Sequence, residues 1–125
     1  MITKEEVLMG RIKYEDLSQE LKNNLDKLLI ALNLFRAAYG KPMYVSSGYR
    51  SPEDNKAAGG ANKSNHMLCL ACDFKDSDNK LKEYIKSNPT ILEQCGLYQE
   101  DPSSTVSWTH LQCSPPKSGN RVFKP

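Results

Sequence analysis

Between residues 18 and 39 the apolar side chains fall at intervals that a helix turns into one face. Leu21, Leu25, Leu28, Leu29, Leu32 and Phe35 recur every three or four positions, which makes a single stripe on a helix of 3.6 residues per turn. Ser18 supplies an N-cap, and Gly40 followed by Lys41-Pro42 supplies a stop. The chain must therefore fold around a long amphipathic helix that buries one side.

The remaining elements are shorter. Residues 3–9 read as a brief N-terminal helix, and residues 43–47 as a short strand running into a loop. Ser51-Pro52-Glu53-Asp54 carries an N-cap serine, a proline at the first helical position and an acid at the third; that helix ends by Gly59-Gly60. Residues 67–74 form an apolar run expected to be a buried strand. Residues 80–87 place Leu81, Tyr84 and Ile85 on one helical face, and residues 89–95 add another turn or two before Gly96. Residues 97–100 and 106–113 read as a hairpin around Asp101-Pro102-Ser103-Ser104-Thr105, and residues 114–125 as an extended tail. Helices around a small antiparallel sheet give an α+β fold, and residues 1–125 are expected to be one domain. A chain of 125 residues can bury a core without disulfides or metals to hold it.

Composition narrows the function. Apolar residues at 38% and charged residues at 26% describe an ordinary soluble protein. A net charge of +2 is too small to point to nucleic acid, although it suits loose attraction to an anionic polymer. No apolar run approaches the length of a membrane span. Acids near Met1 stand where a signal peptide has its apolar core, so synthesis in the cytoplasm without a signal peptide is expected. In that compartment Cys69, Cys72, Cys95 and Cys113 are expected as free thiols.

The chemistry concentrates in two segments, Ser64-Asn65-His66-Met67-Leu68-Cys69-Leu70-Ala71-Cys72-Asp73 and Trp108-Thr109-His110-Leu111-Gln112. They hold both histidines of the chain. Two imidazoles and a carboxylate are a normal zinc set for a catalytic site, which keeps a fourth position open. Taken singly, a histidine in a polar loop is more often solvated, and one after a tryptophan more often packed. Seven positions separate His66 from Asp73, so a regular strand would point them to opposite faces. His66 therefore belongs to the polar loop of residues 59–65 and its edge, before the strand, with Asp73 near the strand's end.

These segments resemble the zinc D-alanyl-D-alanine carboxypeptidases and related L-alanyl-D-glutamate peptidases of bacteria and their phages. That family's signature is Ser-x-His-x-x-Gly-x-Ala-x-Asp followed by a late Trp-His or Trp-x-His. Ser64, His66, Ala71 and Asp73 match it, Cys69 stands at the glycine, and Ser47-Gly48-Tyr49-Arg50-Ser51-Pro52 looks like an upstream motif of the same family. The resemblance spans about residues 45–112 and implies the Hedgehog/DD-peptidase fold. It also implies zinc held by His66, Asp73 and His110, peptidoglycan peptide stems as substrate, and an endolysin-like role.

Arg50 is the candidate for binding substrate or transition-state charge, against local pairing with Glu53 or Asp54. Ser64 either binds a substrate carboxylate or folds its own loop. The family places an acid three residues before its last histidine ligand, and here that position is Ser107, which cannot act as a base. Glu100 and Asp101 are the nearest upstream acids. Adjacent strand residues face opposite ways, and Asp101 precedes Pro102 at the turn, so Glu100 is the candidate catalytic base, across the hairpin from His110.

Cys69-Leu70-Ala71-Cys72 has a spacing also used for structural zinc or redox work, but it lies in an apolar run where cysteine serves as a small core residue. Two functions follow. One is a monomeric zinc peptidase cleaving a bond that involves a D-amino acid in the cell wall, which it reaches once released from the cytoplasm. The other is a non-catalytic metal-binding module, for wall binding or a virion, that keeps the fold but lacks the base.

Overall fold

A computed structural model describes residues 1–60 and 64–125. The expected loop of residues 59–65 includes 61–63, which lie outside the described residues. Helix α1 (Lys4–Leu8) starts at a reciprocal cap in which Thr3 and Glu6 bond each other's backbone amides. A 3-10 turn at Tyr14–Asp16 leads to α2 (Gln19–Tyr39). Ser18 Oγ accepts from the Leu21 amide at 3.2 Å, and Gly40 closes the helix at φ 75°, where a residue with a Cβ would be strained. The stripe read from the sequence is the buried one: Leu25, Leu28, Leu32 and Phe35 carry the core along α2.

Against α2 lies a five-stranded sheet made of β1 (Val45–Ser47), β2 (Ala71–Lys75), β3 (Tyr98–Glu100), β4 (Trp108–Gln112) and β5 (Val122–Phe123). Its order is β1-β2-β4-β3-β5, antiparallel except for the parallel pair β3 and β5. Helices α3 (Pro52–Ala57), α4 (Lys80–Ser87) and α5 (Ile91–Cys95) fill the connections. Side chains alternate across the sheet. Cys72, Phe74 and Leu111 point into the core shared with α2, together with Leu97 just before β3. Asp73, Glu100, His110 and Gln112 occupy the other face.

The α+β class holds, and four details differ from expectation. The strand expected at 67–74 begins only at Ala71, because residues 65–69 turn; the apolar run feeds the core through Cys69 without being extended. Asp73 therefore sits in the middle of β2 and not near its end. The hairpin turn contains a 3-10 element at Pro102–Ser104, started by Asp101 accepting from the Ser103 amide at 2.9 Å. The expected tail, residues 114–125, returns to the sheet and adds β5 at its edge.

Candidate active site

Strand register brings the site together. Asp73 on β2 lies directly across from His110 on β4. The pairs Tyr98 with Gln112 and Gln99 with Leu111 extend, one residue on, to Glu100 opposite His110. His110 is thus flanked on both sides by a carboxylate-bearing strand. His66 comes from the turn before β2, whose fold is fixed by the Ser64 hydroxyl accepting from the His66 amide at 3.2 Å and by Met67 donating to the Ser64 carbonyl at 3.1 Å.

The side chains of His66, Asp73 and His110 converge. Asp73 Oδ1 is 2.8 Å from His110 Nδ1, and Asp73 Oδ2 is 3.4 Å from His66 Nε2. One donor atom from each of the three residues lies within 4.8 Å of the others, and all three residues are buried. A tetrahedral zinc at about 2.1 Å from its ligands spaces them about 3.4 Å apart, so small adjustments would seat an ion here.

The outer nitrogens of both imidazoles test that fit. His66 Nδ1 is 2.9 Å from the Gly48 carbonyl, which can only accept, so Nδ1 must carry the proton. Gly48 can hold that position because a Cβ there would collide with the Val7 carbonyl. His110 Nε2 is 2.8 Å from Gln112 Oε1, and the Gln112 amide nitrogen donates to the Ser114 carbonyl at 2.8 Å. That carbonyl orients the amide, so Oε1 accepts and His110 Nε2 donates. Each imidazole in its neutral form therefore presents a lone pair toward Asp73. Two lone pairs facing a carboxylate call for a cation between them, and acceptors behind metal-ligating histidines are the usual way such rings are held. Gln112 is a site residue that sequence reasoning did not assign a role; its strand parity with His110 was the available signal.

Protonated rings instead donate to the Asp73 carboxylate. Burial works against the Asp73 carboxylate, but hydrogen bonds and charge from His110 and His66 outweigh it and lower its pKa to about 2. Burial works against protonated His110, yet Asp73, Gln112 and Glu100 raise its pKa above the ordinary value. Glu100 is raised, first by burial.

Around these groups opens a cleft of about 470 Å³, lined by Arg50, Ser64, Glu100, Trp108 and Phe123 as well as the three convergent residues and Gln112. Arg50 Nη2 lies 3.7 Å from Asp73 Oδ2, with Nε donating to Ser47 Oγ at 3.1 Å and Nη1 to Asn55 Oδ1 at 3.4 Å. Local pairing is not what holds it: Asp54 pairs with Arg11 at 3.7 Å. Gly60 makes room for this arrangement, since a Cβ there would run into the Asn55 side chain. Ser107 is exposed and is not among the residues lining the cleft; its carbonyl accepts from the Asp76 amide at 3.0 Å. Asp101 caps the turn and Glu100 faces the cleft, the division expected from parity. The four cysteines are free and buried, and none joins a metal-capable group among the described residues. Burial pushes the Cys69 thiol up to about 11 and raises Cys72 well above its ordinary value, which suits inert core residues.

An α+β sheet carrying a His-Asp-His cluster at the floor of a cleft with an arginine and a glutamate is the framework of a metallopeptidase. The chain belongs to the peptidase M15 family, whose model matches residues 5–112 and whose members are metallopeptidases. The resemblance drawn from the two segments is thereby borne out. Among solved structures, the L-Ala D-Glu endopeptidase ChiX of Serratia marcescens superposes with a TM-score of 0.50 at 18% identity, over 78% of this chain and 89% of that one. At that identity the likeness is one of fold. No curated protein matches the sequence. No helix among the described residues is long and apolar enough to cross a membrane.

Proposed function

We propose that the protein is a zinc-dependent peptidase that cleaves a peptide bond involving a D-amino acid in the stem peptides of peptidoglycan. The observation that carries this reading is the row Asp73, His110, Glu100 on three adjacent strands, with His66 and Arg50 closing on Asp73. His66 Nε2, an Asp73 oxygen and His110 Nδ1 would hold the ion. When bound there, it supplies Lewis acidity, which activates water and polarises a carbonyl.

The chain's own residues do the rest. Glu100, directly across from His110 and partly shielded from solvent, takes the proton from the attacking water and returns it to the departing amine. It fills the role that Ser107 cannot. Arg50 presents a guanidinium at the other side of Asp73, where its fork binds the charge of a carbonyl or carboxylate oxygen. Ser64 bonds its own loop and also lines the cleft, so its hydroxyl can meet a substrate carboxylate as well. The endopeptidase named for the similar fold supports a cell-wall peptide as substrate. On this reading the protein also clears a suspension of purified cell walls, as a phage lysis enzyme does.

The test is incubation of zinc-loaded protein with purified muropeptides, with products weighed by mass spectrometry. Wild type is expected to release a defined fragment, and Glu100→Gln to cut roughly 10²-fold more slowly or worse with zinc content unchanged. Equal rates in the two proteins would remove Glu100 from the mechanism. Zinc-bound wild type that cleaves no muropeptide would leave a metal-binding wall module, the reading that Ser107 favours.

A further inference from the structure

The segment that leads into Arg50 has no regular structure, yet each backbone polar group from the Gly48 amide to the Arg50 amide is engaged. The partners come from two places. His66 supplies one: its Nδ1 donates to the Gly48 carbonyl at 2.9 Å, and its own carbonyl accepts from the Arg50 amide at 3.3 Å. Residues 7–11 supply the other. The Val7 carbonyl accepts from the Tyr49 amide at 2.8 Å, and Met9 Sδ from the Gly48 amide at 3.0 Å. Arg11 Nη1 donates to the Tyr49 carbonyl at 2.6 Å. Two consecutive peptide units, Gly48–Tyr49 and Tyr49–Arg50, therefore each have one end on His66 and the other on the N-terminal stretch.

The local sequence aims that stretch. Helix α1 closes on Met9 at φ 57°, and Gly10 follows at φ 72°. A left-handed backbone is unfavourable for a residue with a Cβ, and Met9 is the residue whose sulfur meets the Gly48 amide. The chain then doubles back, with the Arg11 amide donating to the Leu8 carbonyl at 3.0 Å. Arg11 also lies 3.7 Å from Asp54, but those side chains are 34% and 41% exposed, and an ion pair in that setting contributes little. The bond to the Tyr49 carbonyl is short and charge-assisted. A carbonyl that accepts from a cation makes the amide of its own peptide unit a stronger donor. That amide belongs to Arg50 and is bonded to His66.

We propose that Arg11 is a positioning residue: acting through the Tyr49–Arg50 peptide unit, it fixes the Arg50 guanidinium and the His66 imidazole relative to each other. Arg11 does not line the cleft, so its influence arrives through the backbone alone. Its effect on turnover rests on the peptidase reading, and its effect on zinc on His66 as a ligand. Misplacing a catalytic group by about 1 Å costs about 10²-fold in rate, and losing support behind a metal ligand costs about 10- to 100-fold in affinity.

The experiment uses full-length protein. Arg11→Met keeps the aliphatic stem and removes the donors; Arg11→Lys restores a cationic donor for the Tyr49 carbonyl. Zinc affinity is measured by competition with a chelator, and kcat/KM on purified muropeptides with each protein saturated with zinc. Arg11→Met is expected to weaken zinc binding about tenfold and to lower kcat/KM about tenfold, with Arg11→Lys recovering most of both. In an Arg50→Lys background the fork is already gone, and Arg11→Met is expected to lower kcat/KM by less than about threefold. A loss as large there as in the wild-type background overturns the proposal, because a residue that only stabilises the fold costs the same with or without the fork. Zinc affinity of Arg11→Met within about twofold of wild type also overturns it, whatever the melting temperature does. If Arg50→Lys or wild type cleaves no muropeptide, the zinc titration alone decides the proposal; silence of the wild type is the separate failure of the peptidase reading.

Discussion

Cys69 is fully buried and sits in the left-handed region at φ 57°, which explains why the family signature has glycine there. That backbone costs a residue with a Cβ roughly 1–2 kcal/mol, and the buried methylene recovers about 0.8 kcal/mol. In an ordinary strand or helix, glycine is worse than alanine by about 0.5–1 kcal/mol. Here the order is expected to vanish or reverse. Cys69→Gly should be as stable as Cys69→Ala within about 0.5 kcal/mol, or more stable, because relief of the left-handed strain offsets the lost methyl group. Urea unfolding of the two variants decides it, and a glycine variant weaker by about 1 kcal/mol or more would mean the turn carries no strain. The cluster of His66, Asp73 and His110 was legible because each histidine sits in a short motif of its own. The place of Glu100 was legible only through strand parity, since a side chain delivered by a neighbouring strand leaves no fixed spacing to the residue it faces. Gln112 stayed silent: an amide behind an imidazole is ordinary in sequence and becomes specific only once Ser114 orients it.

Helix α4 shows how an element can be capped from outside its own start. Asn79 at its N-cap has φ 63° and makes no side-chain cap bond. Asp76 takes over, accepting from the Leu81 amide at 2.9 Å, the Lys82 amide at 3.1 Å and Lys82 Nζ at 3.1 Å, and from Thr109 Oγ1 at 2.8 Å. The carboxylate is 2% exposed and ties α4 to β4, one residue from His110. Asp76→Ala would leave the largely buried Lys82 ammonium without its partner, so a loss of about 3–5 kcal/mol is expected. Chemical denaturation measures it, and a loss under about 1 kcal/mol, the scale of an exposed pair, would show the network to be dispensable. Nothing in residues 80–87 announced this cap, although the helix itself was evident from its apolar spacing. The same contrast runs through the fold. The amphipathic α2 was legible because its stripe repeats turn after turn, whereas the two residues of β5 have no periodicity to read and are held by backbone bonds to β3. The apolar run 67–74 reads as strand throughout because burial alone does not distinguish a buried turn from a strand.

For the molecule as a whole, the site couples stability to pH. His110 is surrounded by Asp73, Glu100 and His66, with Arg50 beyond Asp73, and its pKa is raised above 6.5 because the carboxylates outweigh burial. Its contribution is fully present below the unfolded value and is lost as pH rises through the folded one. Asp73, lowered to about 2, contributes above its unfolded value near 3.8, and that contribution is lost as pH falls toward 2. The metal-free protein is therefore expected to be most stable between these limits, with a melting temperature that declines as pH rises above 6.5 and through the raised His110 value. On the proposed reading zinc takes the place of the proton, so saturating zinc should abolish the decline; at a thousand times Kd it would add about 4 kcal/mol. Melting curves in chelator and in zinc check this, and a flat or rising curve in chelator would refute it. One consequence follows from the alternation along β4, where Trp108, His110 and Gln112 face the cleft while Thr109 and Leu111 are buried. Gain or loss of one residue within that strand would turn the cleft residues on one side of the change into the interior, splitting the set. Changes of length have to fall outside β4, and the irregular stretch between it and β5 is where descendants of this chain can absorb them.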